Sequence, residues 1–155
     1  MQKRTILATL GLSAAICVGV ATAHEISNPA IKARTSLMQL YASNLGQLGA
    51  MAKGAAEYDA QAASSAADNL VLLTQLDQST FWPAGSDSDA DFSTRALPEL
   101  WQNFPDVMTK SKALADAAIV MKNAAGTDLA ALQGAMGALG GACSSCHKAY
   151  RAREQ

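Results

Sequence analysis

The sequence predicts an all-α chain of four helices, and three observations carry that reading. Alanine is abundant and β-branched residues are sparse. No stretch alternates apolar and polar residues as a half-buried strand would; apolar residues recur three and four positions apart. Glycine and proline fall between those stripes and punctuate the chain.

The first helix runs from about Asn28 or Pro29 to Lys53. Ser27 or Asn28 caps it and Pro29 suits its first turn. Ile31, Arg34, Met38, Tyr41, Leu45 and Leu48 form one stripe, and Gly54 ends the helix. The second helix runs from about Asp59 to Gln78. Leu70, Leu73 and Leu76, with Ala62, Ala63 and Ala66, supply its buried face. Ser79 to Leu97 reads as a long irregular connection, with Pro83, Gly85 and three aspartates. Phe81 and Trp82 are its apolar exceptions and are expected to tuck against the helices.

The third helix starts near Pro98 and ends at about Lys122, with Leu100, Phe104, Val107, Leu114, Ala118 and Met121 as core candidates. Pro105 lacks a backbone donor, which predicts a kink or short break at Asn103–Phe104. Beyond Gly126, Thr127 or Asp128 caps a last helix that reaches about Arg151. Leu129, Leu132, Met136, Leu139, Cys143, Cys146 and Tyr150 step along one of its faces. Gly134, Gly137, Gly140 and Gly141 each cost about 1 kcal/mol of helix propensity against alanine. They make the helix thin enough for a flat ligand or a partner helix to come close, unless they are plain surface.

Met1-Gln2-Lys3-Arg4 is a short basic run, followed by an apolar run to about Val20 and then Ala21-Thr22-Ala23. That is the pattern of a secretory signal peptide. The apolar run is short and ends at the cleavage signal, which argues against a membrane anchor. Cys17 follows Ile16, too bulky for a lipoprotein signal, and is lost with the leader. Cleavage after about Ala23 leaves 132 residues starting at His24, enough for one domain. Ten basic residues then face thirteen acidic ones, a formal charge of −3. Such a balance does not make a nucleic-acid surface. Acids crowd the middle (Asp87, Asp89, Asp91, Glu99, Asp106), and Lys148, Arg151 and Arg153 gather at the end. No serine elbow, phosphate loop or histidine beside an acid–base pair points to an enzyme.

The chemistry lies in Cys143-Ser144-Ser145-Cys146-His147, the attachment pattern of c-type haem. Each thiol adds across a vinyl group, and the imidazole binds iron as the proximal ligand. On a helix, positions three and four apart share a face, so all three side chains meet one flat ligand. Two other readings exist for a Cys-x-x-Cys pair. A redox dithiol expects a βαβ setting, whereas this segment is helical. A zinc site wants four ligands, and after the leader is removed only His24 is left to add. Both remaining cysteines belong to the motif, and export before haem attachment fits a bacterial periplasm.

With those residues in place, the chain resembles the class II cytochromes c, the cytochrome c prime family. The resemblance rests on the C-terminal Cys-x-x-Cys-His followed by Lys-Ala-Tyr-Arg, on Lys53-Gly54 shortly before Tyr58-Asp59, and on Pro98-Glu99-Leu100-Trp101 after the long connection. It implies an antiparallel four-helix bundle with one covalent haem c. It also implies a distal iron position fifteen residues before Lys53-Gly54, which here is Met38. In one branch of the family a methionine there gives a six-coordinate, low-spin electron carrier. In the other an apolar residue leaves a five-coordinate, high-spin iron that binds NO or CO. Core packing is the competing role for Met38, and Met51, Met108, Met121 and Met136 compete for the iron on local grounds. The resemblance places Arg34 beside a haem propionate. The expected haem-binding set is Cys143, Cys146, His147, Met38, Arg34, Thr94 and Arg151, with iron held by His147 and Met38. Arg151, four residues after His147, is expected beside the imidazole. With Lys148 and Arg153 it would form a basic rim for redox partner proteins. A homodimer would use the alanine faces at Ala52, Ala55, Ala56, Ala62 and Ala63.

Overall fold

In a computed structural model of the chain, residues 26–153 are described. The leader through Ala23, with Cys17, and His24 lie outside the described residues.

Helix α1, Pro29–Ala52, starts where expected: Asn28 Oδ1 accepts from the Ala30 N–H at 3.0 Å and the Ile31 N–H at 3.4 Å. It stops at Lys53, and Gly54 turns the chain away with φ +72°, a conformation that glycine adopts without strain. Helix α2, Ala60–Thr74, is capped by Asp59, whose carboxylate accepts from the Ala62 N–H at 2.8 Å. It ends about a turn before the expected Gln78. Asp77 Oδ1 accepts from the Ser79 N–H at 2.9 Å, a local turn that competes with the helix. Leu76 is therefore 49% exposed instead of buried, whereas Leu70 is buried and Leu73 packs against the core.

The expected break is present. Helix α3 is the single turn Glu99–Gln102, Asn103 leaves helical geometry (φ −122°, ψ 38°), and helix α4 runs Phe104–Ala125. Pro105 falls in the first turn of α4, where no partner for its missing N–H is needed. Phe104 is exposed, against expectation, and Leu100 is buried. Helix α5, Leu129–Tyr150, is capped by Asp128 through the Ala131 N–H at 2.8 Å.

Helices α1, α2, α4 and α5 pack in that order around a ring, each antiparallel to its neighbours. Cross-links fix the directions. Tyr58 Oη at the head of α2 donates to the Ala125 carbonyl at the tail of α4 (2.9 Å), and Tyr150 Oη at the tail of α5 donates to Asp106 Oδ2 at the head of α4 (2.6 Å). Leu48, Met51, Leu70, Met121, Leu132 and Leu139 fill the centre between small residues such as Ala63, Ala67 and Ala118. Ala63 is thus core and Ala52 packs against it, so only Ala55, Ala56 and Ala62 of the proposed dimer face are exposed.

A Cβ at Gly134, Gly137, Gly140 or Gly141 would meet nothing within 4 Å, so no helix of this chain uses the room they leave. Close approach occurs instead at Gly126, where a Cβ would run into Ser64 Oγ of α2. The connection ends as a strap across the tail of α5. Ala96 and Arg151 form an antiparallel bridge, the Leu97 N–H donates to the Tyr150 carbonyl (2.9 Å), and the Ala152 N–H donates to the Arg95 carbonyl (2.8 Å). Among the described residues, no helix is long and apolar enough to cross a membrane.

Candidate haem-binding site

Cys143, Cys146 and His147 all lie within α5, so their spacing places them on one helical face. Both thiols are half-buried and neither is in a disulfide. Burial pushes both thiol pKa values up; at Cys146, Lys110 pulls back down while Asp106 and Cys143 add to the rise. A redox dithiol needs the opposite shift, because the thiolate is its nucleophile. Among the described residues, no group of three or more Cys, His, Asp or Glu is placed to hold a metal. Desolvation first, and then the charge of Arg95, push the His147 pKa down. Its imidazole is therefore neutral at pH 7, the form that binds a metal.

The opposite face comes from α1, and one hydrogen bond sets its register against α5. Gln133 Nε2 donates to the Ala52 carbonyl at 2.8 Å, and Met136 Cε lies 3.7 Å from the Cβ position of Gly49. Fourteen residues back along α1 from Ala52 stands Met38, and fourteen residues forward along antiparallel α5 from Gln133 stands His147. Both climbs are about 21 Å at 1.5 Å per residue, so the two side chains stand at one height. Tyr41, a turn below Met38, lies close enough to Cys143 for the thiol to contribute to its raised pKa of about 12, after the larger effect of burial.

Met38 is 38% exposed and belongs to no core cluster. Met51 and Met121 are buried in the core, and Met136 packs against it. Among the helical methionines, only Met38 and Met108 are exposed, and Met108 is on α4. Of the four contacts around the ring, the one between α1 and α5 is the slightest. Met38 and His147 thus stand on the two neighbouring helices of the ring that touch least. With two unpaired thiols and a neutral imidazole on one face, the residues fit haem c.

Arg34 lies one turn before Met38 on α1. It is 3% exposed and held by the connection. Its Nη1 donates to the Phe81 carbonyl (3.2 Å) and Ser86 Oγ (2.7 Å), and its Nη2 to the Ser86 carbonyl and Thr94 Oγ1 (3.0 Å). Its guanidinium carbon lies 5.1 Å from the Trp82 ring centre and 5.7 Å from that of Trp101. Thr94 is thereby joined to Arg34. Arg151 lies past the end of α5 with extended backbone (φ −125°, ψ 124°), its N–H donating to the His147 carbonyl at 3.1 Å. The cation whose charge reaches His147 is Arg95, on the strap. Sequence reasoning missed Arg95, because only the pairing of 95–97 with 150–152 brings it there. It also missed Ser86, which is 1% exposed within a stretch that reads as surface.

The cytochrome c′ family description matches residues 29–151, from the first turn of α1 to the residue that follows α5. The chain belongs to the cytochrome c′ family. It is 44% identical over 124 residues to cytochrome c-554 of Cereibacter sphaeroides, covering 80% of this chain and 81% of that one. Cytochrome c′ of the same organism is 34% identical over 152 residues, 98% of this chain and 99% of its own. A solved cytochrome c′ from Rhodobacter sphaeroides superimposes with a TM-score of 0.79 at 36% identity, covering 81% of this chain and 96% of that chain. As a c-type cytochrome of this family, the protein carries one covalent haem c, attached through Cys143 and Cys146, its only cysteines among the described residues.

Proposed function

We propose that this cytochrome carries electrons in a bacterial periplasm through a six-coordinate haem, with His147 as proximal and Met38 as distal ligand. The observation that carries the reading is the shared height of Met38 and His147 on the two helices that touch least. The exposure of Met38 supports it against core packing, as does the engagement of Met51, Met121 and Met136 elsewhere. The haem supplies a one-electron iron couple when bound. The chain's own residues set how it is used. His147 presents a neutral imidazole from a rigid helix. A Met38 thioether would occupy the distal position, keep small gases out and favour the ferrous state. Lys148, Arg151 and Arg153 offer basic charge near the motif to an acidic redox partner, and no hydrolytic or transfer chemistry is assigned to the site. The apolar run before Ala23 supports export as the route to haem attachment.

Met38→Ala tests this reading. The variant is expected to turn high-spin, bind CO in the ferrous state and show a lower reduction potential. A low-spin, CO-inert variant would remove Met38 from the iron. Deleting residues 1–23 and producing the chain in a reducing cytosol without attachment machinery should give protein lacking covalent haem; efficient attachment there would count against the export route.

A further inference from the structure

Charge is divided unevenly around the bundle. None of the thirteen acidic residues of the chain falls within α1 or α5. The helical acids are Asp68 on α2, Glu99 on α3, and Asp106 and Asp116 on α4. The lysines follow the same division. On α4, Lys110 pairs with Asp106 (3.4 Å), Lys112 with Asp116 (2.7 Å) and Lys122 with Asp68 of α2 (2.9 Å). Lys32 on α1, Lys53 at its C-cap and Lys148 on α5 are exposed, and among the described residues none of them forms an ion pair. Helices α1 and α5 are neighbours in the ring, so a chain of negative net charge presents one face that carries only cations.

An apolar groove of about 450 Å³ runs along the seam of that face. Ala42, Gly46 and Ala50 of α1 and Met136 and Gly140 of α5 line it, with Lys53 at one end. A Cβ at Gly46 or Gly140 would meet nothing within 4 Å, nor would one at Gly134, Gly137 or Gly141. The glycines that cost α5 helix propensity thus leave open space here and make no contact inside the chain. The groove reaches the haem motif: Gly140 precedes Cys143 by three residues, and Ala42 follows Met38 by four. Helical spacing sets the other lysines on the same side toward the haem end. Lys32 precedes Ala50 by eighteen residues, five full turns, and Lys148 follows Gly141 by seven, two turns.

We propose that this α1/α5 face docks an acidic electron-transfer protein, with an apolar knob of the partner seated in the glycine-lined groove and its carboxylates on Lys32, Lys53 and Lys148. The proposal rests on the electron-carrier reading above and adds the surface and the sign of the partner. Three observations select this occupant. The face holds unpaired cations and no carboxylate, so an acidic surface meets attraction without repulsion. An apolar centre inside a charged rim is the anatomy of a protein–protein interface. The groove ends about one turn of α5 from Cys143, which brings the partner beside the point of haem attachment. The exchange moves one electron: one centre is oxidised, the other reduced, and no bond or proton is transferred.

The test uses the haem-loaded ferric protein and flavodoxin hydroquinone, a small acidic flavin protein that donates one electron. Lys53→Glu with Lys148→Glu reverses two charges of the face. Lys112→Glu with Lys122→Glu makes the same change in net charge on α4. Gly46→Leu fills the groove at a position where an added Cβ meets nothing. At low ionic strength the first pair is expected to slow reduction about tenfold and Gly46→Leu about threefold, while the α4 pair stays within about twofold of the parent. The loss in the first pair should fade at high salt. Amide shifts on adding oxidised flavodoxin should fall on α1 and α5. Equal slowing by the two pairs, or shifts confined to α2 and α4, would overturn the docking face. So would a parent that sediments as a dimer and is released by Gly46→Leu, since a second copy would then occupy the groove. If flavodoxin fails to reduce the parent at any salt, the carrier reading has failed, and the amide shifts alone decide the face. Shifts on α1 and α5 then support it, and their absence overturns it.

Discussion

The two ends of the bundle are held by different forces. At the end where α1 stops and α5 begins, the joints are short and apolar. Gly126 brings α4 against Ser64, Met51 and Ala125 are buried, and Tyr58 closes the tail of α4 with one hydrogen bond. At the haem end the joints are polar and distant in sequence. Arg34 reaches 52 residues to Ser86 and 60 to Thr94, Tyr150 reaches 44 back to Asp106, and the strap pairs with the chain terminus. Burial of small and apolar side chains stabilises the first end in proportion to area, whatever happens to the cofactor. Directed hydrogen bonds hold the second, and their geometry is what can place two side chains on opposite faces of a flat group. The bundle thus separates a scaffold from a site.

Changes at the two ends should differ in kind as well as in size. The largest effect is expected from Cys143→Ser with Cys146→Ser, which removes both points of attachment. Mass spectrometry should find the chain without the haem mass; a covalent adduct surviving the double change would place attachment elsewhere. At the opposite end, Leu132→Ala deletes a fully buried side chain and should cost about 2–5 kcal/mol in chemical denaturation. Its absorption spectrum should match the parent's, and a spectral change would show that the two ends are not separable.

A subtler difference appears with acid. Tyr150 Oη donates to Asp106, and this bond first, with Lys110 adding to it, holds the Asp106 carboxyl below its usual range. A carboxyl depressed in the folded state contributes stability above its unfolded pKa of about 4, and the contribution disappears as pH falls through the lower folded value. The same bond pushes the Tyr150 hydroxyl up to about 12. Tyr150→Phe should therefore flatten the loss of stability on acidification below about pH 4. An acid limb identical to the parent's would assign that loss to other groups. The smallest effect is expected at the surface. Reversing the charges of Arg151 and Arg153, both exposed, should slow electron transfer to an acidic partner at low salt. The difference should fade as exposed charges are screened over about 8 Å at physiological ionic strength. Rates indifferent to both salt and reversal would make these residues ordinary solvated surface.

The sequence spoke clearly about the scaffold and only in part about the site, and the reason is range. Asn28, Asp59 and Asp128 cap helices through residues two or three positions away, so a local pattern reveals them. Pro105 marks the break at Asn103 for the same reason. The haem motif is local too, as one face of α5. Arg34 was visible as part of a stripe, but its partners Ser86 and Thr94 lie in a stretch whose composition says only that it is irregular. Arg95 shows the limit from the other side: no local spacing links it to His147, and only the pairing of the strap with the end of α5 does. Leu76 was misjudged because the Asp77–Ser79 turn ended α2 early.

The central claim is that Met38 and His147, level with each other on facing helices, hold one iron between them. The most direct measurement is the absorption spectrum of the purified, haem-loaded protein in both oxidation states, taken with and without CO. The account predicts low-spin bands in both states, a methionine-to-iron signature in the ferric form and no rapid change on adding CO to the ferrous form. High-spin bands with ready CO binding would contradict it and leave Met38 as a side chain facing an open iron.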